Sequence, residues 1–151
     1  MKLEKAIQQS SFTSEGQKVV LNFMYTFNLF KDKQNIFFNP FKITSQQYNV
    51  LRILRGAAPE PYSTSKIRDR MLDKMSDASR IVTRLVKKNL VARTTTRADK
   101  RLVDVTILPE GLRLLKKIDK HIDNYMSGLL TNFSTKERVE FNRLLDKIRS
   151  N

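Results

Sequence analysis

A mainly α-helical chain with one small β-hairpin is the fold class this sequence predicts. Three observations predict it. Apolar residues recur at three- and four-residue steps through six segments, and most of these open on Ser, Thr or Pro at a position suited to a helix start. Only one pair of β-rich runs occurs, at 91–95 and 102–107, separated by a polar connection. A length of 151 residues with 40% apolar content suits one domain with an ordinary core.

The first helix is expected over about 14–35. Val20, Phe23, Met24, Phe27 and Phe30 follow a helical period, and Ser14 with Gln17 three residues later has the form of a capping box. Its aromatics exceed what one packed stripe needs, so burial on more than one side, against a second subunit, stands beside plain core packing as a reading. Asn39-Pro40 breaks the period. A second helix then starts at Thr44, with Gln47 closing a box and Ile43 stapled to Tyr48; it carries Tyr48, Leu51 and Leu54 on one face and stops near Gly56. Residues 57–62 hold two prolines and form a loop. Ser63 caps a short third helix that buries Ile67 and Met71 and ends near Leu72.

A fourth helix is expected from Ser76 to Lys88. At 100° per residue, Ile81, Val82 and Leu85 fall on the same side as Ala78, while Ser76, Arg80, Thr83, Arg84 and Lys87 fall opposite. Asn89 tolerates the left-handed conformation that ends a helix, and Leu90 folds back onto the last turn. Val103, Val105 and Ile107 alternate with Leu102, Asp104 and Thr106 in the second strand of the hairpin. Pro109 suits the first turn of a fifth helix, about 110–131, whose Leu115, Ile118, Ile122, Tyr125 and Leu129 make a heptad-like seam. Ser134 with Glu137 opens a sixth helix with Phe141, Leu144, Leu145 and Ile148 on its apolar face.

The chain carries 29 Lys and Arg against 15 Asp and Glu, a net charge of +14. The excess is local. Residues 1–62 contribute +4, 63–101 contribute +8 and 102–151 contribute +2. Such a patch marks a face for a phosphate-bearing partner more specifically than a uniform surplus does. With no cysteine and one histidine, disulfides, thiol catalysis, thiol redox sensing and Cys- or His-rich zinc sites are excluded. His121 reads as a solvated side chain. No Gly-rich phosphate loop, metal-binding His-Glu motif or nucleophile with a suitably spaced His and carboxylate is present, so an enzyme is not expected. No cofactor, metal or membrane partner is expected, and the lack of a signal-like or membrane-length apolar run points to a cytoplasmic protein.

Three helices followed by a basic hairpin is the order of a winged helix-turn-helix lobe, here 44–107. Residues 14–38 with 109–150 form a helical dimerisation lobe within the same domain. A helix of this width fits the major groove of double-stranded DNA, and an arginine-bearing hairpin tip fits the minor groove.

The stretch Leu85-Val86-Lys87-Lys88-Asn89-Leu90-Val91-Ala92-Arg93, followed by Asp99-Lys100-Arg101 and Gly111, resembles the signature of the MarR family of bacterial transcriptional regulators. That family shows a helix ending Lys-Lys-Gly-Leu-Val, an Arg two residues on, a wing with Asp-x-Arg and a helix start Leu-Thr-x-x-Gly. The resemblance implies that Asp99 orients Arg101 for DNA, that Arg97 and Lys100 are tip contacts, and that Ser76, Ser79, Arg80, Thr83, Arg84 and Lys87 belong to the recognition helix. It implies backbone contacts from Ser63 and Lys66. Two departures stand out: Asn89 replaces Gly, which Asn tolerates, and Leu108 replaces the capping Thr at a cost of about 1 kcal/mol.

The expected assembly is a homodimer built by the first, fifth and sixth helices, with Phe23, Phe27, Leu115, Ile118, Tyr125, Phe141, Leu145 and Ile148 supplying apolar surface. Family resemblance implies repression relieved by a small aromatic effector. A pocket at Met24, Phe27 and Tyr48 is one place for it, although core packing is the better account of all three residues. The alternative is a basic winged-helix module for RNA or a protein partner, without operator specificity.

Overall fold

The structure, a computed structural model, describes residues 1–95 and 103–150. Among them the elements follow in the order α1 (Leu3–Ala6), α2 (Glu15–Phe38), a 3-10 turn (Asn39–Phe41), α3 (Ser45–Ala57), β1 (Tyr62–Ser63), α4 (Thr64–Arg70), α5 (Ala78–Lys87), β2 (Val91–Thr95), β3 (Val103–Ile107), α6 (Pro109–Leu129) and α7 (Thr135–Arg149). The six expected helices are α2 to α7, and the hairpin is β2–β3. Two elements are additional. The single turn α1 buries Leu3, and the two-residue strand β1 pairs antiparallel with β3, Tyr62 opposite Val105, giving a sheet of order β1-β3-β2. Both are too short to carry a periodic signal.

Local hydrogen bonds set the helix starts. Thr44 and Gln47 make both halves of a capping box, at 3.2 and 3.1 Å, with Gln47 almost fully buried. Ser134 and Glu137 do the same for α7. At α2 the box is displaced by one residue: Ser14 Oγ accepts from the Gln17 N–H at 3.1 Å, but Gln17 Oε1 accepts from the N–H of Thr13 instead of Ser14. Leu108 precedes α6 with no side-chain cap, as its substitution for Thr implies. At the end of α5, Asn89 takes φ 56°, Leu90 N–H donates to the Leu85 carbonyl at 3.1 Å and Asn89 N–H to that of Val86 at 2.8 Å. This is the complete left-handed helix stop.

The core lies between α3, α4, α5, α6 and the sheet. Val50, Leu51, Ile67, Val82, Leu85, Val105, Leu115 and Ile118 are wholly buried. Leu115 and Ile118 therefore correct the dimer reading of the α6 seam: they pack inside this chain, because α3 crosses α6 and covers that face first. Arg55 of α3 reinforces the crossing with a two-pronged bond to Asp119 of α6, at 2.5 and 3.4 Å. Gly111, in the first turn of α6, lies so close to the sheet that a Cβ would meet the Leu90 carbonyl oxygen at 2.4 Å. The Leu108 N–H donates to that same oxygen at 3.0 Å, which locks the start of α6 to the base of the hairpin.

Outside this core, α2 and α7 keep apolar faces uncovered. Phe23, Phe27, Phe141 and Ile148 are exposed, Leu145 is half-buried, and α7 contributes no buried residue. No helix among the described residues is long and apolar enough to cross a membrane.

Candidate nucleic-acid interface

The helix-turn-helix is α4 and α5. Ser63 caps α4 by accepting the Lys66 N–H at 3.2 Å, so its oxygen is partly used within the chain. Lys66 Nζ lies 5.7 Å from the Tyr62 ring centroid, and Arg70 Nη1 donates to the Tyr62 hydroxyl at 3.0 Å. The short strand β1 thus holds a tyrosine between two cations that α4 supplies. The turn that follows is pinned to α3 by the Leu72 N–H, which donates to Asn49 Oδ1 at 3.0 Å.

Ser76 is where the recognition-helix reading needs correction. The helix starts at Ala78, and its cap is Asp77, whose carboxylate accepts the Arg80 N–H at 3.0 Å. Ser76 instead donates its hydroxyl to Asp73 Oδ2 at 2.6 Å, within the turn, and this bond holds the Asp73 carboxyl below its ordinary range. Asp is as good a cap as Ser, and Asp73 competes for the Ser76 hydroxyl. Ser76 stays beside the interface, lining a polar hollow with Asp77, Arg80 and Arg84.

Along α5 the buried face is Ala78, Val82 and Leu85, with Ile81 only partly covered. Ser79, Arg80, Thr83, Arg84 and Lys87 are all exposed. No ion pair among the described residues involves Lys66, Arg80, Arg84 or Lys87, so their charge is available to a polyanion. Lys88 is turned the other way, its ammonium donating to the Lys42 carbonyl at 2.6 Å.

One residue legible in the sequence only as part of a motif joins this face. Arg93 of β2 reaches across to α5, donating Nη2 to Ser79 Oγ at 3.0 Å and Nη1 to Thr83 Oγ1 at 3.2 Å. No local pattern announces a bond between residues ten and fourteen apart; the pairing depends on how the hairpin lies on the helix. The expected wing contacts Arg97, Asp99, Lys100 and Arg101 lie outside the described residues.

Met24, Phe27 and Tyr48 do not form a pocket. Tyr48 is buried against Phe38, with ring centroids 4.9 Å apart, whereas Met24 and Phe27 are exposed on α2. The hollow on this side, about 410 Å³, lies instead between α2 and α6, lined by Lys33, Ile36, Phe37, Tyr125, Gly128 and their neighbours. Tyr125 stacks on Phe37 at 4.2 Å, its hydroxyl is buried without a partner among the described residues, and burial pushes its phenol up.

Comparison with known proteins agrees with this geometry. The MarR family model matches residues 43–103, from the residue before the α3 cap to the start of β3. A MarR transcription factor from Planctomyces limnophilus is 31% identical, with 91% of this chain and 97% of that one covered and a TM-score of 0.69. A mutant MarR from E. coli complexed with operator DNA has the same fold at 22% identity, 92% and 98% coverage and TM-score 0.78. So does Bordetella bronchiseptica BpsR, whose DNA binding is regulated by 6-hydroxynicotinic acid, at 21% identity, 87% and 98% coverage and TM-score 0.74. The family model thus falls on the helix-turn-helix and the start of the hairpin, the likeness to the P. limnophilus protein extends over nearly the whole chain, and the chain belongs to the MarR family of DNA-binding transcriptional regulators.

Proposed function

We propose that this protein is a cytoplasmic homodimer that binds a near-palindromic operator in double-stranded DNA and acts as a repressor relieved by a small aromatic effector. The observation that carries the DNA reading is the exposed row Arg80, Arg84 and Lys87 on α5, which with the exposed Lys66 of α4 takes part in no ion pair among the described residues. Such a row neutralises phosphates and presents guanidinium groups to base edges, which are the two parts of groove recognition. The wing residues Arg97, Asp99, Lys100 and Arg101 extend it in this proposal, as the family motif implies.

The dimer reading is supported by the apolar side chains of α2 and α7 that the chain leaves in water: Phe23, Phe27, Phe141 and Ile148, with Leu145 beside them. Two-fold symmetry puts the two α5 helices about one DNA turn, roughly 34 Å, apart. For the effector, the hollow between α2 and α6 offers an aromatic wall, Phe37 and Tyr125, and a cation, Lys33. A ligand there acts only by favouring the DNA-incompetent spacing over the competent one.

The test is binding to a duplex from the chain's own upstream region against an unrelated duplex, across a salt series. Tight, sequence-dependent binding with two half-sites one turn apart is expected, and Arg80→Ala should lose about 1–3 kcal/mol on the specific duplex. Equal, weak and steeply salt-dependent binding to both duplexes would leave charge alone and sink the operator reading.

A further inference from the structure

A hydroxyl on a recognition helix is an ambivalent reader of DNA, because it both donates and accepts. The surroundings of α5 remove that ambivalence. Thr83 donates its hydroxyl hydrogen to the Ser79 carbonyl at 2.9 Å and accepts from Arg93 Nη1 at 3.2 Å. It has no hydrogen left to give, and a guanidinium cation beside its remaining lone pair repels the amino hydrogens of adenine and cytosine. What Thr83 retains for a base is its methyl group, and the base that offers a methyl in the major groove is thymine. Ser79 is the complementary case. Its oxygen accepts from Arg93 Nη2 at 3.0 Å, while its own hydrogen has no acceptor among the described residues. A polarised O–H of this kind suits an acceptor on the base edge: a purine N7, guanine O6 or thymine O4.

We propose that Arg93 is a specificity-determining positioning residue, which by holding the hydroxyls of Ser79 and Thr83 sets Ser79 to donate to a base acceptor and Thr83 to contact a thymine methyl. The inference rests on the operator-binding reading above. Arg93 sits on β2 opposite Val105 of β3, so the anchor is a paired strand and not a loop. Hairpin and recognition helix are thereby tied into one reading unit.

The probe is the set of duplexes that the full-length chain selects from a randomised pool. Each thymine is replaced in turn by uracil, which deletes only the methyl, and each purine by its 7-deaza analogue, which deletes only N7. Uracil at one thymine per half-site should weaken binding roughly fourfold, the worth of one buried methyl. Thr83→Ser, which removes the contact from both half-sites at once, should weaken binding to the thymine duplex by roughly the square of that factor and be indifferent to uracil, while Thr83→Val stays sensitive. Arg93→Met should blunt the thymine–uracil difference, with its melting temperature reporting whether it folds; if it does not, the Thr83→Ser comparison decides. Indifference to uracil at every position of a selected operator overturns the proposal, leaving DNA binding intact. So does an Arg93→Met variant that loses affinity equally for operator and unrelated duplex, the mark of a phosphate contact. A pool that yields no preferred sequence overturns the operator reading itself, and this inference with it.

Discussion

At Gly111 a single hydrogen in place of a side chain decides how closely two elements meet. A methyl there would lie 2.4 Å from a backbone oxygen and 2.9 Å from Ile107 Cγ1, and neither strand nor helix start is free to retreat. Gly111→Ala should therefore destabilise the fold by about 1–3 kcal/mol, the usual cost of overpacking, read as a lower urea midpoint at unchanged slope. The sequence supplied Gly111 only as part of a family motif; its reason, the approach of α6 to the Leu90 carbonyl, is a tertiary contact. Asn89 is the opposite case. Its left-handed backbone and the fold-back of Leu90 were legible from three residues, because the bonds that stop a helix join near neighbours.

At the scale of elements, the capping boxes make the same point with charge. Glu137 accepts from the Ser134 hydroxyl at 2.7 Å and from its N–H at 2.8 Å, and these bonds hold its carboxyl below the ordinary range. Folding thus favours the ionised form. The contribution is complete above the ordinary glutamate value of about 4.3 and is lost as pH falls through the lower folded one. Acid titration of the helical circular dichroism signal should show this component, and Ser134→Ala should remove it. A variant titrating like the parent would mean that α7 does not depend on its cap. Boundaries were legible wherever such a box or a proline sits, as at α3, α6 and α7. They slipped where two candidates compete within a turn, as at α5, where Asp77 and not Ser76 caps the helix. The strand β1 had no local signal, since two residues become a strand only by pairing with β3.

For the whole molecule, the division of apolar residues between the inside of one chain and an interface yields a contrast. Leu115 and Ile118 are wholly buried, whereas Phe141 and Ile148 are exposed on a helix that buries nothing. Leu115→Ala should cost about 2–5 kcal/mol of stability, the range for emptying a core site. Phe141→Asp should leave the fold of each chain intact and instead shift the sedimentation profile toward monomer, with DNA affinity falling alongside. If Phe141→Asp sediments as the parent does, α7 is not part of a dimer contact.

By itself the sequence determined where most of the helices begin, which stretch turns back as a hairpin and where positive charge accumulates. Those features follow from hydrogen bonds and dihedral preferences between residues three to five apart, and from composition. Only the tertiary structure decided which apolar stripe faces the core, that Arg55 meets Asp119 across 64 residues, and that Arg93 takes up the hydroxyls of Ser79 and Thr83. Apolar attraction has no direction, so a stripe on α6 looks alike whether α3 or a second chain covers it. A guanidinium likewise gives no sign in sequence of the oxygens it will reach, because its partners are set by how strand and helix come to rest on one another.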